Sequence, residues 1–136
     1  MSRIATFLMF DGQAEEAVDT YVALFPDSRI TAMIYHPAGH AMAGKVQHCA
    51  FILDGTPFMA SDSTVGHDFT FTPSMSIYMS CDDEAEFDVT FALLAEGGRI
   101  HMSPADYGFS RKFGWTADRF GVSWQVNLPD IPGHEG

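Results

Sequence analysis

The sequence has few basic residues, few cysteines and no long hydrophobic run. Lysine and arginine number 7 against 18 aspartates and glutamates, which gives a formal net charge of −11 over 136 residues. Such an acidic chain repels phosphate backbones and offers no basic stripe, so nucleic-acid binding is not expected. No apolar run approaches the roughly 20 residues of a membrane span, and the N-terminus lacks a signal-peptide core, so no membrane association is expected. Two cysteines, Cys49 and Cys81, are too few for a disulfide framework, which predicts reduced thiols in a cytoplasmic protein.

An internal repeat organises the chain. Residues Phe7–Ile30 and Ile77–Ile100 align without a gap at an offset of 70 residues. Each copy reads as a short apolar strand, a turn, an acidic helix start, an apolar helix stripe and a stop. Asp11 or Gly12 is the expected cap of the first helix, and Asp83 has the capping-box spacing to Glu86 for the second.

Three extended segments follow each predicted helix, so each half reads βαβββ. They are Arg29–Tyr35, Lys45–Leu53 and Pro57–Ser61 in the first half and Arg99–Ser103, Phe109–Trp115 and Val122–Asn127 in the second. Asp54-Gly55 predicts a hairpin, and Phe120-Gly121 takes its place in the second half. The predicted fold is α+β: two βαβββ modules forming one cupped mixed sheet with the helices on its outer face. Module one covers about residues 1–62, a linker 63–70, module two 71–128 and a tail 129–136 of a single domain.

The pattern resembles the vicinal oxygen chelate superfamily of glyoxalases, extradiol dioxygenases and bleomycin-resistance proteins. The segments FLMFDGQAEEAVDTYVALFPDSRI, FILDGTPFMASD and FGWTADRFGVSWQVNLP are similar to its PhnB-like branch, often labelled 3-demethylubiquinone-9 3-methyltransferase. The resemblance covers nearly the whole chain and implies a small-molecule cleft and a homodimer. A class I methyltransferase needs a parallel sheet with a glycine-rich loop, which this sequence lacks, so methyl transfer is not expected.

The resemblance also indicates where a superfamily metal would be bound. It places one ligand position at Thr6 on the first strand and another at Gln125 on the last. Repeat offsets of 70 and 66 residues carry these positions to Ser76 and Met59. Hydroxyl, thioether and amide groups are poor ligands for Zn²⁺, Ni²⁺, Mn²⁺ or Fe²⁺. We therefore expect no metal at these positions and no other cofactor.

Strand alternation divides the predicted sheet into two faces. The side under the helices is predicted to comprise Phe7, Met9, Phe58, Ala60, Ile77, Met79, Val122, Trp124 and Val126. The opposite side is more polar, as a ligand cleft tends to be, with a partly solvated sheet face as the alternative. The predicted cleft comprises Thr6, Leu8, Phe10, Met59, Ser61, Ser76, Tyr78, Ser123 and Gln125, and Ser80 and Asn127 continue the same face.

Three residues are candidates for acid–base chemistry. His48 and His101 fall on predicted strands and could act as bases from beside the cleft, or could be hydrogen-bonded sheet histidines. Asp62 follows the fourth strand and could be a base at the cleft rim or a solvated loop carboxylate. The remaining histidines are expected to be exposed in loops or the tail: His36, His40, His67 and His134.

For several other side chains we mainly expect structural roles. Asp118 is expected to shape the turn before the last strand. Cys81 lies at a helix start, where a dipole could lower its pKa, or it is a small buried residue. Four aromatic residues could line the cleft, the core or a dimer contact: Tyr107, Phe109, Phe113 and Trp115.

Three functions are compatible with these features. The first is a PhnB-like protein with a small-molecule cleft and without the superfamily metal, acting by ligand binding or by metal-independent acid–base chemistry. The second is a divalent-metal-dependent enzyme of the glyoxalase or dioxygenase type with non-standard ligands. The third is a sequestering protein of the drug-resistance type.

Overall fold

A computed structural model describes residues 3–66 and 68–130 of the chain. It contains two compact units, Met1–Asp68 and Phe69–Gly136. Each unit is a four-stranded mixed sheet with one helix, as the predicted βαβββ repeat requires. None of the helices in the described residues is long and apolar enough to span a membrane.

The first unit is ordered β1-β4-β3-β2, with β1 and β4 parallel and the other pairs antiparallel. Its elements are β1 Thr6–Phe10, α1 Ala14–Leu24, β2 Arg29–Tyr35, β3 Val46–Leu53 and β4 Thr56–Asp62. The predicted hairpin is confirmed: Asp54 and Gly55 both have positive φ angles, and they join β3 to β4. The core of this unit lies where Ala17, Val18 and Tyr21 of α1 are buried against the sheet.

The second unit repeats this arrangement in the order β5-β8-β7-β6, with β5 and β8 parallel. Its elements are β5 Ile77–Ser80, α2 Glu84–Ala95, β6 Arg99–Ala105, β7 Lys112–Ala117 and β8 Ser123–Leu128. The predicted cap is confirmed, since the Asp83 carboxylate accepts the Glu86 N–H at 2.8 Å. Phe87, Phe91 and Leu94 are the apolar residues that α2 buries, and α2 packs on β7 and β8.

Strand β1 departs from the predicted alternation by one residue. Leu8 pairs with Ala60 and Phe10 with Asp62, so they share the face that packs on α1, and they are 7% and 2% exposed. Phe7 and Met9, predicted under the helix, lie on the opposite face, and Phe7 is 52% exposed. A one-residue shift exchanges the two faces of a strand completely.

The cause of this shift is the length of the turn before each helix. Two residues, Asp11 and Gly12, separate β1 from the α1 cap residue Gln13. In the second unit Cys81 takes the position of Phe10, and Asp82 alone separates it from the cap residue Asp83. An ungapped alignment that matches the helices therefore misplaces the first strand.

The N-terminus of α1 is capped from a distant strand and not by Asp11 or Gly12. The cap residue Gln13 makes no side-chain capping hydrogen bond. Instead the Asp62 carboxylate, at the end of β4, accepts the Ala14 N–H at 2.9 Å and the Val46 N–H at 2.9 Å. Asp62 is 4% exposed, so this side chain joins the start of α1 to the start of β3 inside the first unit.

Replacing Asp62 with alanine is expected to lower the free energy of unfolding by about 3 kcal/mol, because two buried N–H groups lose their acceptor. Urea denaturation followed by circular dichroism measures this difference. Asp11→Ala is the matched control: Asp11 is exposed, so we expect a change within about 0.5 kcal/mol. Equal losses in the two variants would contradict the assignment of Asp62 as the cap.

Candidate functional site

A row of polar side chains lies on the face of the second sheet that points away from α2. Lys112 and Gly114 of β7 identify the α2 side, since Lys112 pairs with Glu84 and Asp88 of the helix and a Cβ on Gly114 would meet Phe91. The register places alternate residues of β8 on the opposite face. We call Ser76, Ser123, Gln125 and Asn127 the polar row.

Three members of the polar row are joined by hydrogen bonds. The Ser76 and Ser123 hydroxyls are 2.6 Å apart, and the Gln125 side-chain amide donates to Ser76 Oγ at 3.3 Å. Trp115 of β7 donates its indole N–H to Ser123 Oγ at 2.9 Å. Ser123 is buried, whereas Ser76 and Gln125 are half-buried. The row therefore has a fixed inner side and an accessible outer side.

Asn127 closes the row at the far end of β8. Its side chain is 0% exposed, and among the described residues neither its amide nitrogen nor its carbonyl oxygen has a hydrogen-bond partner. Nearly all buried polar atoms in proteins have such partners, because an unsatisfied one costs about 1–3 kcal/mol. A buried amide with both ends unsatisfied therefore favours a donor and an acceptor supplied by another molecule, whether a water or a ligand.

Aromatic rings adjoin both ends of the row. The His101 ring lies 5.0 Å from the Trp115 ring, and His101 Nε2 is buried without a partner. Phe113, which pairs with Asn127, forms an aromatic cluster with Tyr107 and Phe109 at ring distances of 5.0–6.4 Å. This face combines apolar rings with a few convergent polar groups, which is the usual composition of a small-molecule site.

Asp118 holds the turn that leads into β8. One carboxylate oxygen accepts the N–H groups of Phe120 and Val122 at 2.9 and 3.0 Å. The other accepts the Trp124 indole N–H at 2.8 Å. The expected role of Asp118 in shaping this turn is confirmed, and it fixes the start of the strand that carries the polar row.

The structure brings together the cleft residues predicted from the second half and separates those predicted from the first. Ser76, Ser123 and Gln125 form the hydrogen-bonded group, and the register places Tyr78 opposite Gln125 on the same face. Met59 and Ser61 lie beside Phe7 and Met9 on the face of the first sheet that points away from α1. Thr6, Leu8 and Phe10 lie on the helix-facing side of that sheet, so the prediction for β1 is wrong. Asn127, predicted as a continuation of the cleft face, completes the polar row, and Trp115, predicted as a possible cleft-wall, core or dimer residue, donates a hydrogen bond to it.

The candidate bases occupy different surroundings. Asp62 is engaged by two backbone N–H groups, which corrects the expectation of a solvated carboxylate. His48 lies half-buried on β3, and His101 adjoins the polar row. His36 and His40 stack at 4.3 Å in the β2–β3 loop, and the His36 Nε2 atom is buried, contrary to the exposed position predicted for His36. His67 and His134 lie outside the described residues.

The side chains at the positions implied for a superfamily metal do not fit one. With β1 placed correctly, Ala5 and not Thr6 is the counterpart of Ser76, because Leu8 and Met79 occupy equivalent positions. Met59 offers a thioether, and Ser76 and Gln125 are bonded to each other. Within residues 3–66 and 68–130, no three His, Cys, Asp or Glu side chains are close enough to hold an ion.

Neither cysteine is activated. Burial, with smaller contributions from Asp19 and Glu15, raises the pKa of Cys49 to about 11. Burial, with smaller contributions from Glu86, Asp82 and Asp83, raises the pKa of Cys81 to about 12, which corrects the suggestion that a helix dipole could lower it. Both thiols are free and buried.

We therefore expect no labelling of either cysteine by a thiol reagent such as 5,5′-dithiobis(2-nitrobenzoate) at a pH of about 8, where the thiolate population is negligible. Both should react once the chain is unfolded in urea. Because the folded thiols hold their protons more tightly than unfolded ones, their contribution to stability is lost as the pH rises above about 9. Rapid labelling of the native protein would show that one of the two sites opens readily.

Comparison with known proteins agrees with the fold. The family model described as 3-demethylubiquinone-9 3-methyltransferase matches residues 2–127. A putative 3-demethylubiquinone-9 3-methyltransferase, PhnB protein, from Bacillus cereus is 47% identical and has a TM-score of 0.91, with 93% of this chain and 99% of that chain covered. Protein PA1353 from Pseudomonas aeruginosa is 29% identical with a TM-score of 0.83, covering 95% and 98%.

More distant structures share only the fold. The fosfomycin resistance protein FosX from Mesorhizobium loti has a TM-score of 0.59 at 12% identity, covering 94% of this chain and 92% of that chain. No functionally curated protein matches the chain significantly. The matched length and the identity to the Bacillus cereus protein show that this chain belongs to the 3-demethylubiquinone-9 3-methyltransferase-like, or PhnB, family.

Proposed function

We propose that the protein binds a small organic molecule on the polar row of its second unit, without a divalent metal. The observation that carries this proposal is the fully buried Asn127 amide, whose donor and acceptor groups are both unsatisfied. A bound molecule with complementary groups would remove that cost. The half-buried Ser76 and Gln125 give such a molecule access to the row.

The metal-free part of the proposal rests on the donor chemistry. Ser76 and Gln125 are uncharged and are already hydrogen-bonded to each other, and Met59 offers only a thioether. These groups are poor ligands for a divalent transition metal. We expect protein purified without added metal to contain well under one transition-metal ion per chain by elemental analysis. Near-stoichiometric manganese, iron, nickel or zinc, removed by a chelator with loss of folding, would contradict this part of the proposal.

We do not propose that the protein transfers methyl groups. Each sheet here has a single parallel pair, β1 with β4 and β5 with β8, and its other pairs are antiparallel. The open parallel sheet and glycine-rich loop that class I methyltransferases use for their cofactor are a different architecture.

Binding is tested by a ligand-observed NMR screen of a metabolite mixture against the intact protein. Gln125→Ala should weaken a compound bound on the row by about 1–3 kcal/mol, because it removes one hydrogen-bonding group. Gln47→Ala, an exposed amide on β3 of the other unit, is the matched control and should change nothing. Compounds that bind both variants as well as the original protein, or no bound compound at all, would contradict the proposal.

Metal-free acid–base chemistry is a second candidate, favoured by His101. Its ring packs on Trp115, which donates to the row, and its Nε2 atom is buried without a partner. A neutral imidazole there could accept a proton from a bound molecule. If a bound compound is turned over, His101→Phe should abolish turnover while leaving its dissociation constant within a few-fold.

A homodimer and a cytoplasmic location complete the proposal. Large apolar side chains are exposed on the face of the first sheet that points away from α1, among them Phe7 at 52% and Ile34 at 51%. Such surface favours contact with a second copy. Free, buried cysteines accord with a reducing compartment. Sedimentation equilibrium tests the dimer.

A further inference from the structure

The hydrogen bonds of the polar row have a direction that the chemistry of each group fixes. The Trp115 indole can only donate, so Ser123 accepts from it. The distance between the Ser76 and Ser123 hydroxyls allows either to donate, but Ser123 is 3% exposed and its buried O–H would otherwise lose its acceptor, so we assign Ser123 as the donor. Ser76 therefore accepts from both Ser123 and Gln125, and its remaining capacity is its own O–H. This half-buried hydroxyl is a donor toward the accessible side of the row.

The remaining groups of the row are amides. Gln125 uses one N–H on Ser76, which leaves its carbonyl oxygen and second N–H. Asn127 leaves a carbonyl oxygen and an amide nitrogen unsatisfied. Alternate residues of a strand are roughly 7 Å apart, so Gln125 and Asn127 present neutral donor–acceptor pairs about that distance from one another. Phe113, opposite Asn127, is itself buried, but the exposed Phe109 ring lies 5.0 Å from it and offers an aromatic surface at that end.

None of the four residues of the row carries a charge. The register places Arg99 on the same face, opposite Ala117, but on β6, two strands from β8. That spacing separates the Cα atoms of Arg99 and Ser123 by roughly 10 Å. An anion on the row would lose water without gaining a counter-charge from the row itself, and the chain's net charge of −11 opposes it further.

We infer that the row selects an uncharged aromatic molecule bearing an amide or a comparable carbonyl-and-donor group, and rejects the corresponding anion. This inference rests on the proposed function and specifies the chemical class that the site takes. The carbonyl of such a molecule accepts from Ser76 or from the Asn127 amide, its N–H or O–H donates to an amide oxygen, and its ring packs on the exposed Phe109.

Benzamide, benzoate and benzamidinium test this selection, because they share a ring and a planar head group and differ in charge. Each is titrated into the ¹⁵N-labelled full chain at near-physiological salt, which screens long-range attraction by the acidic chain. The assigned side-chain amide signals of Gln125 and Asn127 report binding. Benzamide should shift these signals with a dissociation constant at least about tenfold below those of the two charged compounds, equivalent to about 1.4 kcal/mol.

Gln125→Glu places a negative charge in the row and should make benzamidinium the preferred compound. Gln47→Glu adds the same charge at the exposed β3 position and should leave the order unchanged. Equal or tighter binding of benzoate or benzamidinium at this face of the unaltered protein would overturn the selection but leave the proposed binding function standing. Arg99→Ala then identifies whether Arg99 holds the benzoate. If no compound shifts the two amide signals at millimolar concentration, both the selection and the proposed binding face are wrong.

Discussion

Replacing Gly98 with alanine is expected to lower the free energy of unfolding by about 4 kcal/mol or more. A Cβ at Gly98 would lie 2.0 Å from the Ala117 carbonyl oxygen and 2.8 Å from the Asp118 carbonyl carbon. These are backbone atoms, so a rotamer change cannot relieve the clash. The start of β6 and the end of β7 would have to separate, where Arg99 now pairs with Ala117.

Gly66→Ala is the control, because in the described residues, its chain neighbours aside, no atom lies within 4 Å of a Cβ there. Its free energy of unfolding should stay within about 0.5 kcal/mol of the original protein. Urea denaturation of both variants, followed by tryptophan fluorescence, makes the comparison. If Gly98→Ala does not fold, it will show no cooperative unfolding transition while Gly66→Ala unfolds normally. That outcome also supports the prediction. Similar stabilities for the two variants would show that the β6–β7 contact is looser than described.

The secondary structure was predictable because its signals are local. Hydrophobic periodicity marked α1, the capping-box spacing of Asp83 and Glu86 marked α2, and Asp54-Gly55 marked the β3–β4 turn. Ends were less accurate: the predicted strand Phe109–Trp115 is observed as Lys112–Ala117, where pairing with β6 is interrupted by register shifts. Strand ends depend on pairing with a partner distant in sequence, which periodicity does not reveal.

The faces of the strands were only partly predictable. In the second half the assignment of Tyr78 and Gln125 to one face is correct. In the first half a single additional residue in the β1–α1 turn reversed β1, because the repeat was aligned through the longer and more recognisable helix. The sequence signal that could have corrected this is the pair Asp11-Gly12. Glycine readily adopts the positive φ angle of a longer turn, and Gly12 has such an angle in the structure.

The site was least predictable where a side chain acts over a long sequence distance. In the sequence, Asp62 is simply a carboxylate that follows a strand. In the structure it accepts hydrogen bonds from the backbone N–H groups of Ala14 and Val46. The Asn127 amide became a candidate only when burial and the absence of partners could be observed together. Neither property is a feature of one residue or its neighbours, so composition and spacing do not reveal it.

Asp118→Ala is expected to lower the free energy of unfolding by about 4 kcal/mol, since one buried carboxylate serves three donors. Two are the backbone N–H groups of Phe120 and Val122, and the third is the Trp124 indole. Each buried donor left unsatisfied costs about 1–3 kcal/mol. The loss should appear as a lower urea midpoint, with altered fluorescence of the folded protein because Trp124 loses its acceptor.

Asp106→Ala is the matched control for Asp118→Ala. Asp106 makes the same kind of bond, accepting the N–H of Gly108 two residues on at 2.8 Å, but in an exposed turn. Water can replace that acceptor, so we expect a loss of at most about 1 kcal/mol. Because Asp118 fixes the turn before Ser123, its removal should also broaden the Gln125 and Asn127 side-chain amide signals in the folded state. A stable Asp118→Ala protein with unchanged amide signals would show that β8 holds the polar row in place without this turn.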